Sequence, residues 1–576
     1  MNKAVVGIDF GTSGTTYAFA FLDSKEDIMC AKWSDISNSK NLTEIILDEK
    51  YETIKFGKEC QEYLSEQSSS ENNFYHFTDI KMRLYKNETR IKAYNNDKIE
   101  LDIDIVISKI LLKIKEIALK EISSLRPAIK ETQIKWRVTV PAIWSNKSKD
   151  IMQKASIKAG IFDEPLTFFA LEPEAAACDY CNGKVSDKEA IKPGNNYIVC
   201  DIGGGTIDIS THRRIINKGK LNIEEIYHPI GGAYGSTYIN KLFMKRVIEK
   251  IFGIKAIDKL TTIIKNPYLD KDLYIDYCIF LEEIENFKIT IKKENINESK
   301  RINCSFFKGL ISDISASINN YNKECKDKWK ILKFNKDYKI YFPYQIMIDL
   351  TEEVIVSNVV KYIEKIFKYV KDVKSIIYAG SVSSNDFIIS MIKEKLPANI
   401  NNYLSPYPST SIAKGAVIFG FDPYIIKSRV SKYTIGISVS EKWDEKKHGT
   451  RPDLKFFCNI ENCYKCKNNF SPIIFRKDKI DIKDTKLGHY EIIQPKHSIV
   501  FYKTIFDNVN YIDETFNSKR KCIEFGRITF DVKNSFDPSN KDIIVELKLG
   551  GTFIDAKIKY KGIEKSSPFN FANYNN

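Results

Sequence analysis

The stretch "VVGIDFGTSGTTYAFAF", residues 5–21, starts as an apolar run of strand character, reaches Asp9, and breaks into Gly, Ser and Thr before a second apolar run. Two physical readings fit it. It is an ordinary strand–turn–strand hairpin, or it is half of a clamp for phosphate groups whose other half lies elsewhere. The second reading requires a matching stretch, and "YIVCDIGGGTIDIS" at 197–210 is one: again an apolar strand delivers Asp, one residue, Gly and then Thr. In such a turn Gly lets the backbone approach a phosphate closely, backbone N–H groups donate to its oxygens, and Thr adds a hydroxyl. Two carboxylates aimed at one polyphosphate need a cation between them, and Mg²⁺ keeps several waters that carboxylates can hold. The plainer alternative is that Gly203, Gly204 and Gly205 only make a turn and that Asp208 caps something local.

Two further Gly-containing turns extend the pattern. "HPIGGAYGSTYIN" at 228–240 opens a helix, whose N-terminus suits an anion. "SIIYAGSVSSNDF" at 375–387 follows a strand, as a nucleotide-contacting turn would.

Around these turns the first 210 residues alternate strand and helix patterns: "AVVGIDF", then Ile107, Ile110, Leu111, Ile114, Ile117 and Ala118 at helical spacing, then "IKWRVTVPAIW" and "YIVCDIG". That rhythm predicts an α/β fold with a mixed sheet. Polar, breaker-rich stretches at 65–73 and 183–196 read as loops. Residues 238–370 read as largely helical. From about 430 onward short alternating runs such as "YTIGISVS", "SIVFYKTI" and "IIVELKLGG" predict an antiparallel sheet or sandwich.

At 576 residues with 43% apolar side chains, the chain is expected to form two or more domains. No run is long and apolar enough for a membrane span, and no signal peptide is legible, so the expected location is cytoplasmic. The net charge of +14 comes mostly from lysines interleaved with Ile and Asn, which reads as a solvated surface. No nucleic-acid partner is expected, while peripheral contact with acidic lipid stays open. The twelve cysteines are scattered and read as reduced thiols. Cys458, Cys463 and Cys466 have C-x4-C-x2-C spacing without an evident fourth ligand, and no metal is expected there.

Taken together, "IDFGTSGTTYAFAF", "VTVPAIW", "ALEPEAAACDY", "YIVCDIGGGTIDIS", "GGAYGSTYIN" and "KGAVIFGFDP" resemble the actin, heat-shock-70 and sugar-kinase superfamily, and within it the divergent heat shock 70 kDa protein 12 family, over nearly the whole chain. The resemblance implies a two-lobed actin-like ATPase domain built on duplicated ribonuclease-H-like cores at 1–424, a linker at 425–435, a β-rich domain at 436–565 and a tail at 566–576. It implies ATP or ADP with Mg²⁺ as cofactors. Gly11, Thr12 and Ser13 would then form the first phosphate loop, and Gly203, Gly204, Gly205 and Thr206 the second. Asp9, Asp201 and Asp208 would hold the metal through water, Glu172 would help hold the metal or the attacking water, and Lys81 would position the terminal phosphate. Gly231 and Gly232 would run along the phosphates. Glu285, Lys288, Gly380 and Ser381 would flank the adenosine.

For Glu172 a helix-start carboxylate is the alternative, for Lys81 a surface residue, and for Glu285 and Lys288 a surface ion pair. The link "YIIKSRVSK" lacks the acidic, leucine-rich character of the family's linker, no helical lid or acidic tail is expected after the β-rich part, and Ala379 stands where the family's adenosine turn begins with a second Gly. Three readings follow: a slow ATP hydrolase with chaperone-like binding of a client or partner protein, a nucleotide-dependent adaptor with negligible turnover, and a small-molecule (sugar) kinase.

Overall fold

The computed structural model describes residues 2–33, 39–66, 73–163, 168–182, 191–217, 220–308, 310–311, 313–533, 535–548 and 554–568. Most of the loops expected at 65–73 and 183–196, and most of the tail at 566–576, lie outside them. The fold is mixed α/β, with several sheets and many helices. It divides into two compact units, one of Met1–Glu164, Phe168–Thr211 and Pro229–Pro423, the other of Pro165–Thr167, His212–His228 and Tyr424–Asn576.

In the first unit one sheet runs in the order Phe169–Leu171, Ile134–Val140, Ala4–Asp9, Gly14–Phe21 and Ser24–Cys30. Ala4–Asp9 is parallel to Ile134–Val140 and antiparallel to Gly14–Phe21. All six residues of Ala4–Asp9 are buried, which is why the run reads as continuously apolar: the sheet is covered on both faces. The helix Ser411–Phe421 lies against this strand, so closely that a Cβ on Gly7 would sit 2.8 Å from Ala416 Cβ. A Cβ on Gly415 of the same helix would collide with the Ala175 carbonyl oxygen of helix Glu172–Asn182. The small residues Ala413, Gly415 and Ala416 are thus what lets two helices and a strand approach.

A second sheet contains Asn401–Leu404, Val373–Ala379, Asn196–Ile202, Ile207–Asn217 and Lys220–Gly232 in that order. Asn196–Ile202 is parallel to Val373–Ala379, and Val373–Ala379 to Asn401–Leu404. Both aspartate-bearing strands therefore have a parallel neighbour on one side and, on the other, the strand reached through their own glycine turn.

In the second unit Ile426–Val430, from the stretch expected to be a plain linker, is a strand parallel to Lys220–Gly232 at Ile223 and Glu224, and antiparallel to Lys479–Asp481. Glu225 Oε1 accepts from the Val430 amide at 2.8 Å. Later strands form a five-stranded and a four-stranded sheet. Burial alternates along Asp542–Lys548, as it must when one face of a strand packs inward and the other meets water. Ile437, Phe501, Phe525 and Ile528 of one sheet share a core with Val545, Leu547, Ile558 and Tyr560 of the other.

Candidate functional site

The turns after the two aspartate-bearing strands line one cleft of about 360 Å³, its open mouth included. Gly11, Thr12, Ser13 and Gly14 form one wall, and Gly203, Gly204, Gly205 and Thr206 another. The loops touch: a Cβ on Gly204 would lie 2.6 Å from Ser13 Oγ, and one on Gly205 would strike Thr12 Oγ1. The second turn closes on itself through Gly203 N–H donating to Thr206 O at 3.0 Å.

Helix Ser236–Phe243 was expected to offer its N-terminal amides to an anion. Instead the amides of Gly235, Ser236 and Thr237 donate to the carbonyls of Gly205, Gly203 and Gly204 at 3.1, 3.1 and 2.9 Å. The unsatisfied donors of a helix start need acceptors, and here the glycine turn supplies them, so the helix braces the loop. Gly231 and Gly232 are not among the residues lining the cleft. Their missing side chains serve packing, since a Cβ on Gly231 would strike Ile207 O and one on Gly232 would meet the Tyr362 hydroxyl at 2.6 Å. Glu285 and Lys288 also lie outside the lining; they pair with each other at 2.8 Å, and Lys288 Nζ donates to Ser236 O at 3.3 Å while Asn240 donates to Glu285 at 2.9 Å. They tie the long helix Lys271–Ile289 to the bracing helix.

Gly380 and Ser381 do line the cleft. Gly380 has φ 83°, where side chains are strained, and a Cβ there would collide with Asp201 Oδ1.

The charged floor is made by Asp9, Lys81, Glu172 and Asp201, all buried. Lys81 Nζ donates to Glu172 Oε1 at 2.5 Å, and its ammonium stands 5.9 Å from the Trp144 ring centroid. The surface reading of Lys81 is thereby excluded. Glu172 does start a helix, and it also faces this lysine. Asp208 is not in the lining; Ile143 N–H, 65 positions away in sequence, donates to its Oδ1 at 3.2 Å, so it ties to the backbone of a distant segment and not to its own turn.

Two ammonium groups, Lys40 and Lys81, confront four carboxylates: Asp9, Glu172, Asp201 and Asp208. Burial pulls the Lys81 ammonium down, but Glu172 and Asp9 outweigh it and hold it above the ordinary lysine value. Burial pushes Glu172 up to about 7 against the pull of Lys81, with Asp208 and Asp9 adding to the rise. Burial, then Glu172, Asp208 and Asp9, drive Asp201 well above the carboxylate range, and burial raises Asp208 against its hydrogen bonds. Asp201 Oδ1 and Asp208 Oδ2 are buried without hydrogen-bond partners among the described residues. Orphaned carboxylate oxygens in a negatively charged cleft fit a hydrated divalent cation. Among the described residues no three Asp, Glu, His or Cys side chains converge to hold a metal directly.

Lys40 is the residue that sequence reading missed. Its Nζ donates to Asp9 Oδ2 at 2.6 Å, and it lines the cleft. It arrives there because Asn41–Leu42 pairs with the start of Gly14–Phe21, Thr15 opposite Asn41 and Gly14 opposite Leu42. The only signal was one lysine among 89 Lys and Arg. The three clustered cysteines do not converge: Cys458 and Cys463 are cross-strand partners, whereas Cys466 stands opposite Lys455 and Glu441.

Comparison with known proteins bears on the whole chain. It is 24% identical to heat shock 70 kDa protein 12A of both Homo sapiens and Mus musculus, over 96% of this chain and 89% of each relative. Heat shock 70 kDa protein 12B of Homo sapiens is also 24% identical, over 77% of this chain and 72% of that one. The chain is a divergent heat-shock-70-like protein. The heat-shock-70-like match thus takes in both units, including the strands after Tyr424. A domain of unknown function (DUF8340) matches residues 191–306 of this heat-shock-70-like chain, a span that includes the second glycine turn and its bracing helix.

Proposed function

We propose that this heat-shock-70-like chain binds ATP in the cleft, hydrolyses it slowly with Mg²⁺, and couples that cycle to a client or partner protein in the cytoplasm. One observation carries the reading: two Asp-to-glycine turns from distant parts of the sequence meet in a cleft whose floor holds the buried Lys81–Glu172 pair. The matching strand order of the two sheets supports a duplicated, actin-like core in two lobes. The strands after Tyr424 support a separate β-rich binding domain.

In this reading the amides of Gly11–Ser13 and Gly204–Thr206 bind the phosphates, with Gly203 closing the second turn and Gly380 and Ser381 beside the adenosine. Asp9, Asp201 and Asp208 would hold Mg²⁺ through water, which would supply neutralisation of phosphate charge. Lys81 orients the terminal phosphate, and the Glu172 carboxylate, held to Lys81 through Oε1 and raised by burial, takes a proton from water. Positioning and electrostatics then do most of the work, as phosphoryl transfer to water requires. A second reading, a nucleotide-dependent adaptor with negligible turnover, is favoured by one fact: Lys81 already occupies Glu172 Oε1.

Single-turnover release of phosphate from γ-labelled ATP separates the two. Release that is lost in Asp201→Asn supports hydrolysis, binding without release supports the adaptor, and sugar-dependent consumption would point to a kinase. No binding of ATP with Mg²⁺ would end every one of these readings.

A further inference from the structure

Lys40 is built into the cleft. Its neighbour Asn41 pairs with Thr15 in the strand following the first glycine turn, and Thr43 Oγ1 donates to Gly11 O at 2.8 Å, so the segment 40–43 is strapped to that turn at two points. The Lys40 side chain is 19% exposed and reaches Asp9, which is 2% exposed. Its ammonium thus sits against the Asp9 carboxylate, while Lys81 serves Glu172. A positive charge beside Asp9 also offsets part of the carboxylate surplus that otherwise repels a polyphosphate.

We propose that Lys40 is a tethered counter-ion for the phosphate tail of a nucleoside polyphosphate, letting this cleft bind nucleotide without a divalent metal. The inference rests on the ATP-binding reading above. An ammonium on a four-carbon stem carries three donors and can hold Asp9 while also donating to a phosphate oxygen, without the coordination geometry that Mg²⁺ demands. Asp9 then has two available partners, the ammonium or the hydrated metal, and nucleotide affinity depends only weakly on Mg²⁺ as long as Lys40 is present.

The test is equilibrium binding of ATP by calorimetry, in excess MgCl₂ and in excess EDTA, for the full chain and for Lys40→Gln and Lys40→Arg. Expected is that the wild-type protein in EDTA stays within about tenfold of its affinity in MgCl₂, that Lys40→Gln loses a further tenfold or more in EDTA but recovers with MgCl₂, and that Lys40→Arg behaves as wild type. Wild-type binding that is abolished by EDTA overturns the proposal, and so does a folded Lys40→Gln that matches wild type in EDTA. If Lys40→Gln does not fold, as judged by its thermal transition, the wild-type and Lys40→Arg measurements still decide. Failure of the wild-type protein to bind ATP in either medium instead defeats the underlying ATP-binding reading.

Discussion

Lys81 Nζ lies 2.5 Å from Glu172 Oε1, both side chains are at most 5% exposed, and the residues are 91 positions apart in sequence. A buried pair this far from water is costly to half-remove. Lys81→Met leaves an uncompensated carboxylate among Asp9, Asp201 and Asp208 and is expected to destabilise the protein by about 3–5 kcal/mol in urea unfolding. Adding Glu172→Gln to it should recover a good part of that loss. Equal destabilisation by the single and the double variant would show that the pair does not interact.

The carboxylate surplus sets a pH dependence. Glu172 is raised in the fold from 4.5 to about 7, and Asp201 is raised as well. A group whose folded pKa is raised contributes stability that is full below its unfolded value and is lost as pH climbs through the folded one. Between roughly pH 4.5 and 7 these groups should therefore make the nucleotide-free protein less stable as pH rises, by about 3 kcal/mol at most for Glu172. Unfolding of wild type and Glu172→Gln across this window measures it, and the variant should show the shallower fall. Identical slopes would contradict the assignment.

Gly380→Ala probes the contact with Asp201. The positive φ costs the new residue about 1–3 kcal/mol, and its Cβ displaces Asp201 Oδ1 as well. A lower melting temperature together with a roughly tenfold or greater loss of ATP affinity is expected. Unchanged affinity would place Asp201 outside the binding site.

Gly415→Ala tests packing alone. Its Cβ would run into the Ala175 carbonyl, backbone that cannot swing aside, so helices Glu172–Asn182 and Ser411–Phe421 must separate. Expected is a loss of about 1–3 kcal/mol from overpacking, read by urea unfolding, although Ala normally favours a helix over Gly. A stabilised variant would refute the close crossing.

Much of the site was legible because its two halves repeat one local pattern: a buried strand can end in Asp and Gly-rich turn only where something compensates the carboxylate, and finding the pattern twice marked Asp9 and Asp201 before any geometry. Lys81 was legible only by resemblance, since burial is not visible in a lysine-rich chain. Lys40 was not legible, because pairing between Asn41–Leu42 and Gly14–Phe21 brings it to Asp9. Gly231 and Gly232 are ambiguous in sequence for a related reason: glycine is needed both where backbone meets ligand and where chain packs on chain, and here the neighbours are Ile207 and Tyr362. The stretch expected to link the domains at 425–435 likewise contains a strand, in which Ile426 and Ser428 are buried.

In the proposed function the turns at 11–14 and 203–206 are two halves of one phosphate clamp. Hydrogen exchange of the full chain with and without ATP and MgCl₂ tests it directly, because amides that donate to phosphate exchange more slowly. Slowed exchange in both turns together is expected on adding nucleotide; slowing in one turn alone, or in neither while ATP is bound, would rule out a shared clamp.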